Sequence, residues 1–208
     1  MQPNNTQWLK WASELQAIAQ NGLTYSKNIF DLHRFKAILK LSAEMMAGHT
    51  NASHEHIINV FTAESGYATP KLDGRGVVFK DNKILMVKER ADDLWSLPGG
   101  WIDINESASS AVVREIREES GYETRAVKLL ALLDKQKQDH PPEWPHAYKC
   151  FFLCELIGGS PQTSDETSAV DFFAKDELPE LSINRVTKAQ ILRFFEHYTH
   201  LDWPTDFD

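Results

Sequence analysis

Apolar residues recur every three or four positions through the first third of the chain and at alternate positions after it. Trp8, Trp11, Leu15 and Ile18 mark one face of a helix, with Gly22 placed as its C′ stop. Leu32, Phe35, Ile38, Leu39, Leu41 and Met45 mark a second helix over residues 29–46, ended by Gly48. A shorter third helix covers residues 53–63, with Ile57, Ile58 and Phe61. From Tyr67 the pattern changes. Gly76-Val-Val-Phe-Lys and Lys83-Ile-Leu-Met-Val-Lys flank Asp81-Asn82, which predicts a β-hairpin. A breaker-rich loop, Ser96-Leu-Pro-Gly-Gly-Trp, precedes a helix over 107–120, with Asn105 as its N-cap and Gly121 as its C′ residue. Strands follow over 126–134, 147–156 and 169–174, with a Pro-rich loop at 139–146. An amphipathic helix over 185–197 is the last element. Strands with one central and one terminal helix predict the α/β class, a sandwich with a mixed sheet behind a small helical domain. The predicted division is 1–66 and 67–208.

Charge follows the same division. Residues 1–66 hold five basic and five acidic side chains, so the net −8 of the 208-residue chain lies wholly in residues 67–208. An acidic balance gives no footprint for coating nucleic acid or anionic membrane, though it leaves a nucleotide substrate open if a divalent cation bridges the charges. Hydrophobic content of 42% and charged content of 25% exclude disorder as the main state. Cys150 and Cys154 lie four apart in an apolar strand, about 13 Å at ~3.3 Å per residue, too far for a disulfide. They read as small buried hydrophobes. The polar start, Met-Gln-Pro-Asn-Asn-Thr-Gln, lacks the pattern of a signal peptide, and no apolar run is long enough to span a bilayer. A soluble, cytoplasmic protein without membrane contact is expected.

The chemistry concentrates in residues 100–122. On a helix, Glu115, Glu118 and Glu119 fall within an arc of about 100°. Val112, Val113 and Ile116 form the adjoining apolar stripe, and Arg114 and Arg117 point elsewhere. Glutamates at i, i+3 and i+4 repel by ~0.2–0.5 kcal/mol per pair. Their hard oxygens suit Mg²⁺, or Mn²⁺, placed among them. A solvated acidic face is the alternative on these three residues alone. The wider pattern decides between the two. Gly100, five residues, Glu106, seven residues, then Arg114-Glu115-Ile116-Arg117-Glu118-Glu119-Ser120-Gly121-Tyr122 matches at every fixed position the signature G-x5-E-x7-R-E-U-x-E-E-x-G-U of the Nudix hydrolases, U being a large hydrophobe or aromatic.

The resemblance covers residues 67–200. It implies an α/β/α sandwich and hydrolysis of a nucleoside diphosphate linked to another moiety. It assigns Glu118 and Glu119 as the main metal ligands, Glu115 as a third ligand or base, and the carbonyl of Gly99 or Gly100 as a further donor. Glu106 and Arg114 are implied as a bridge from loop to helix, and Glu166 as the extra carboxylate that family members draw from a loop. Arg75, Lys137, His140, His146 and Tyr148 are candidate substrate contacts. Trp95 and Trp144 join Tyr148 as aromatic side chains placed to stack on a base or simply to pack. The N-terminal segment resembles the helical extension of a bacterial subfamily acting on such nucleotides, which includes a CDP-choline pyrophosphatase. It implies a homodimer, with packing against its own chain as the other reading. CDP-choline and ADP-ribose lead as substrates. RNA-end processing of the exonuclease or decapping type would want a basic groove. A non-catalytic sensor would have lost box glutamates, and this chain keeps all of them.

Overall fold

The computed structural model describes residues 7–208, and residues 1–6, where the polar start was read, lie outside it. The chain forms two compact units. One takes the residues up to Pro70 together with Pro142–His146. The other takes Lys71–Pro141 and Ala147–Asp208.

The first unit is helical: α1 (Gln7–Tyr25), α2 (Ile29–Ala47) and α3 (His54–Ala63). Leu9, Ala12 and Ala19 pack with Leu39, Ala43, Met46, Ile57 and Phe61 in one core. Alanines at the α1–α2 seam allow a close approach, and buried Ser42 donates to the Ala12 carbonyl at 2.7 Å. Asn28 caps α2 and Ser53 caps α3 through their side-chain oxygens. Gly22 is not a stop: α1 runs three residues past it. The Phe35 ring lies so close that a Cβ at Gly22 would overlap it, so this glycine serves helix packing. The segment Pro142–His146, which no periodicity marked, belongs to this unit. Its Trp144 packs on Phe61 with ring centroids 5.3 Å apart. Trp11, Ile18 and Tyr25, seven residues apart on α1, remain at least half exposed.

The second unit is a mixed sheet between two helices. Its elements are β1 (Lys71–Lys80), β2 (Lys83–Glu89), β3 (Trp95–Ser96), β4 (Gly99–Trp101), α4 (Ala108–Ser120), β5 (Tyr122–Asp134), β6 (Ala147–Gly159), β7 (Thr167–Phe173), α5 (Lys188–Thr199) and β8 (Asp206–Phe207). The order is β3-β2-β1-β6-β5-β8, with β4 also on β1 and β7 also on β2. β1 runs parallel to β6 and β5 to β8, and the other pairs are antiparallel. Alternation assigns the two faces. Val78, Leu85 and Cys154 meet Val112 and Ile116 of α4, while Val77, Met86 and Phe151 meet Ile191 and Phe194 of α5. Asp81 and Asn82 take positive φ, 51° and 59°, as a tight hairpin turn demands.

Three expectations change here. Ser107, not Asn105, caps α4 by accepting from the Ser110 N–H, and Asn105 sits before it at φ 68°. α5 starts at Lys188 because Thr187 and Gln190 form a capping box. β5 and β6 run longer than their apolar stretches, because long mutual pairing carries their polar ends. Cys150 and Cys154 are buried and free, and burial pushes their thiols up to about 11 and about 12. Among the described residues no helix is long and apolar enough to cross a membrane.

Candidate active site

Two glycines of β1 set the depth of α4. A Cβ at Gly74 would stand 2.8 Å from Val112, and one at Gly76 would overlap Ile116. The helix therefore lies directly on the strand, and its glutamates reach the turn that leads into β4. Gly121 at φ 74° ends the helix.

That turn is fixed from β1. The Gly76 N–H donates to the Pro98 carbonyl at 2.8 Å, and Arg75 Nη1 donates to the Leu97 carbonyl at 3.2 Å. Gly99 has φ 138°, and a Cβ there would overlap the Gly74 carbonyl, so only glycine fits. Its N–H donates to Glu119 Oε2 at 2.9 Å. Gly100 leaves the space beside Glu115 open: a Cβ there would stand 3.4 Å from Glu115 Oε1.

The carboxylates sit in graded environments. Glu119 is 4% exposed, and burial pushes its carboxyl up to about 8 despite Arg75 and the Gly99 N–H. Burial also raises Glu115, with Glu118 and Glu166 adding to the rise. Glu118 is mostly exposed. Arg114 was expected to point away from this group, but its long side chain folds back. Its fork bonds Glu106 through Nε at 3.1 Å and Nη2 at 2.9 Å, while Nη1 bonds Glu115 at 2.9 Å and Glu118 at 3.0 Å. The Glu106 hydrogen bonds hold the guanidinium above its ordinary pKa and Glu106 below its own.

Glu166 lies in a loop tied by Ser164 and Thr167. Ser164 Oγ accepts from the N–H groups of Glu166 and Thr167, and the Glu166 carbonyl accepts from Arg90 N–H at 2.8 Å. Thr167, fully buried, donates to the Glu119 carbonyl at 2.7 Å, which links this loop to the end of α4. Thr167 was not singled out from sequence, although the Ser-x-x-Thr spacing is a turn signal.

The remaining candidates are scattered. Both ring nitrogens of buried His140 face protein partners, Nδ1 the Ile183 carbonyl at 2.7 Å and Nε2 the Gln190 side chain at 3.1 Å. Lys137 closes a short 3-10 turn after β5. His146 is the last residue of the segment in the helical unit, and Tyr148 is partly exposed on β6. Trp95 packs edge-on against Phe173. Arg75, read as a possible phosphate contact, is 6% exposed and engages Asp73. Sequence reasoning missed Asp73, Glu89 and Lys149. Glu89 is buried, accepting from Ser96 Oγ at 2.7 Å and pairing with Arg185 Nε at 3.1 Å. Only Lys149 carried a local signal, a charge inside the apolar run Cys150-Phe-Phe-Leu-Cys and its lead-in; Glu89 stands between Lys88 and Arg90, and Asp73 between Leu72 and Gly74.

As the side chains stand, no three Asp, Glu, His or Cys among the described residues converge tightly enough to hold a metal ion. The donor set nevertheless fits a hard divalent cation: carboxylate oxygens on one helical turn, beside glycine backbone, with an arginine Nη1 already bridging Glu115 and Glu118 as a positive charge.

A profile described as a NUDIX domain matches residues 70–195, and one described as a UDP-X-like N-terminal oligomerisation domain matches residues 6–61. A Bacillus subtilis protein provisionally named as an ADP-ribose pyrophosphatase is 46% identical, with 98% of each chain covered. Solved structures are similar as well. An ADP-ribose pyrophosphatase of Streptococcus suis is 43% identical with a TM-score of 0.62, over 67% of this chain and 100% of that one. A UDP-X diphosphatase is 31% identical with a TM-score of 0.63, over 98% and 99%.

Proposed function

This chain belongs to the Nudix hydrolases, enzymes that use divalent metal ions, and we propose that it cleaves the pyrophosphate of a nucleoside diphosphate linked to a second moiety. The products are a nucleoside monophosphate and the phosphorylated second moiety. The metal is Mg²⁺, with Mn²⁺ able to replace it. ADP-ribose is the leading substrate, since the relatives from B. subtilis and S. suis carry that name over much or all of this chain. UDP-linked compounds and CDP-choline come next.

One observation carries the reading. Glu115, Glu118 and Glu119 lie on one turn of α4, with Glu115 beside Gly100 and Glu119 held at Gly99 N–H by a 2.9 Å hydrogen bond. When bound there, a divalent cation supplies charge against the pyrophosphate and an acidified water. The chain's own residues do the rest. Glu118, Glu119 and the Gly99 carbonyl hold the ion, while Glu115 is a third ligand or the base. Glu166, electrostatically coupled to Glu115, is the alternative base. Arg114 keeps the loop at Glu106 fixed to the helix. The burial of Glu119 keeps bulk water from that carboxylate.

The helical unit supports assembly as a homodimer, in line with the oligomerisation profile over residues 6–61 and the exposed Trp11, Ile18 and Tyr25 stripe. A cytoplasmic location is part of the same proposal.

Incubation with ADP-ribose, UDP-sugars and CDP-choline and Mg²⁺, followed by phosphorus NMR of the products, tests the reading. Release of AMP and ribose 5-phosphate from ADP-ribose is expected. No cleavage of any of them would contradict it.

A further inference from the structure

Beneath the Gly99 turn lies a row of buried charges that metal coordination does not use directly. Asp73 and Arg75 are alternate residues of β1 on the face opposite α4, and Lys149 is the partner of Asp73 in the parallel β1–β6 register. Asp73 is 7% exposed, Arg75 6% and Lys149 not at all. Arg75 Nε donates to Asp73 Oδ1 at 2.8 Å, and Lys149 Nζ pairs with Asp73 Oδ2. Burial pushes the Asp73 carboxyl up, but Arg75 and Lys149 outweigh it and leave it below its ordinary value.

Desolvating three charges is costly, and apolar residues of similar volume often stabilise as well. Their geometry gives them another use. Arg75 stands opposite Gly99 in the β1–β4 register, and its Nη1 donates to the Leu97 carbonyl at 3.2 Å. Its neighbour Gly76 holds the Pro98 carbonyl at 2.8 Å. Two consecutive carbonyls of the turn are thus pinned to β1, and the next N–H, that of Gly99, is delivered to Glu119 Oε2 at 2.9 Å. A guanidinium can reach the Asp73 carboxylate and the Leu97 carbonyl at once because its donors diverge in a rigid plane. Asp73 is in turn held from the far side by Lys149.

We propose that Arg75 is a positioning residue for metal binding: anchored by Asp73 and Lys149, it fixes the Leu97–Gly99 turn and so aims the Glu119 carboxylate. This rests on the metal-site reading above. It differs from a phosphate contact, which would act on nucleotide binding, and from a packing role, which would act on stability alone.

Arg75→Lys isolates the fork, because lysine keeps the charge and loses the divergent donors. Mn²⁺ binding followed by electron paramagnetic resonance, with no nucleotide present, gives a readout independent of turnover. The folded variant is expected to bind Mn²⁺ about tenfold or more weakly, the scale found when groups supporting metal ligands are removed. Its kcat should fall while KM for the nucleotide stays near the wild-type value. Unchanged Mn²⁺ affinity in a folded variant overturns the proposal, whether KM rises, as for a substrate contact, or stays put, as for packing. If Arg75→Lys does not fold, the near-isosteric pair Asp73→Asn with Lys149→Met decides. A weaker loss of Mn²⁺ affinity is expected there, and none overturns the proposal. Failure of the wild-type protein to bind Mn²⁺ would overturn the metal-site reading itself.

Discussion

The backbone N–H of Gly99 donates to Glu119 Oε2 across 2.9 Å, joining a turn that only glycine can make to the most buried glutamate of α4. This bond holds a carboxylate where water hardly reaches, and burial pushes its pKa up to about 8 from an ordinary 4.5. The folded metal-free chain thus keeps a proton that the unfolded chain releases. The stability this group contributes is full below pH 4.5 and is lost as pH rises towards 8. In EDTA the thermal midpoint of wild type should lose more between pH 5 and pH 8 than that of Glu119→Gln, over a background to which His140, lowered by burial, adds a rise with pH and Glu115, raised by burial, a further fall. Above pH 8 Lys149, which burial lowers to about 8, works in the opposite direction. A midpoint as steep in Glu119→Gln as in wild type would refute the assignment.

Arg114 hydrogen-bonds three carboxylates with one fork, those of Glu106, Glu115 and Glu118, and pairs with a fourth, Asp103, at 3.7 Å. Lysine is a point charge and cannot span them. Arg114→Lys should lose ~1–2 kcal/mol in urea unfolding and lower kcat, since the loop at Glu106 and the side chain of Glu115 lose a common anchor. Equal stability and kcat would show that the fork is dispensable.

Glycines in this chain act by different means. Gly76→Val would drive a side chain into Ile116 and should cost about 1–3 kcal/mol. Gly48 closes α2 with φ −69° and no close neighbour other than its own helix, so Gly48→Ala should change stability by less than about 0.5 kcal/mol. Equal costs at the two positions would mean that the seat of α4 on β1 is looser than the contacts imply.

The exposed α1 stripe gives the proposed homodimer a test. Trp11→Glu with Ile18→Glu replaces two half-exposed apolar side chains on one face. Sedimentation should show a dimer for wild type and a monomer for the double variant, with its helical content retained. A dimer in both would move the interface elsewhere.

The glutamate arc was legible because helical spacing alone places Glu115, Glu118 and Glu119 together. The hairpin at Asp81-Asn82 was legible because that dipeptide tolerates the positive φ the turn requires. What escaped depends on long-range pairing. Nothing local brings Lys149 beside Asp73: that neighbourhood exists only once β6 aligns parallel to β1. Alternation could place Asp73 and Arg75 on one face but could not say that both would be buried there. Gly22 misled for a similar reason, since its use is the approach of Phe35 from another helix. Arg114 was misread because a helical wheel follows the Cβ direction, and a long side chain can turn back over its neighbours.

The metal-site account meets its most direct test in the turnover of Glu119→Gln at saturating Mg²⁺, on the nucleotide that wild type cleaves fastest. Glutamine keeps the size of the side chain and a hydrogen-bond acceptor for Gly99 N–H but removes the anionic oxygen. A folded protein with kcat lower by about 10²-fold or more is expected. Near-normal turnover would contradict it.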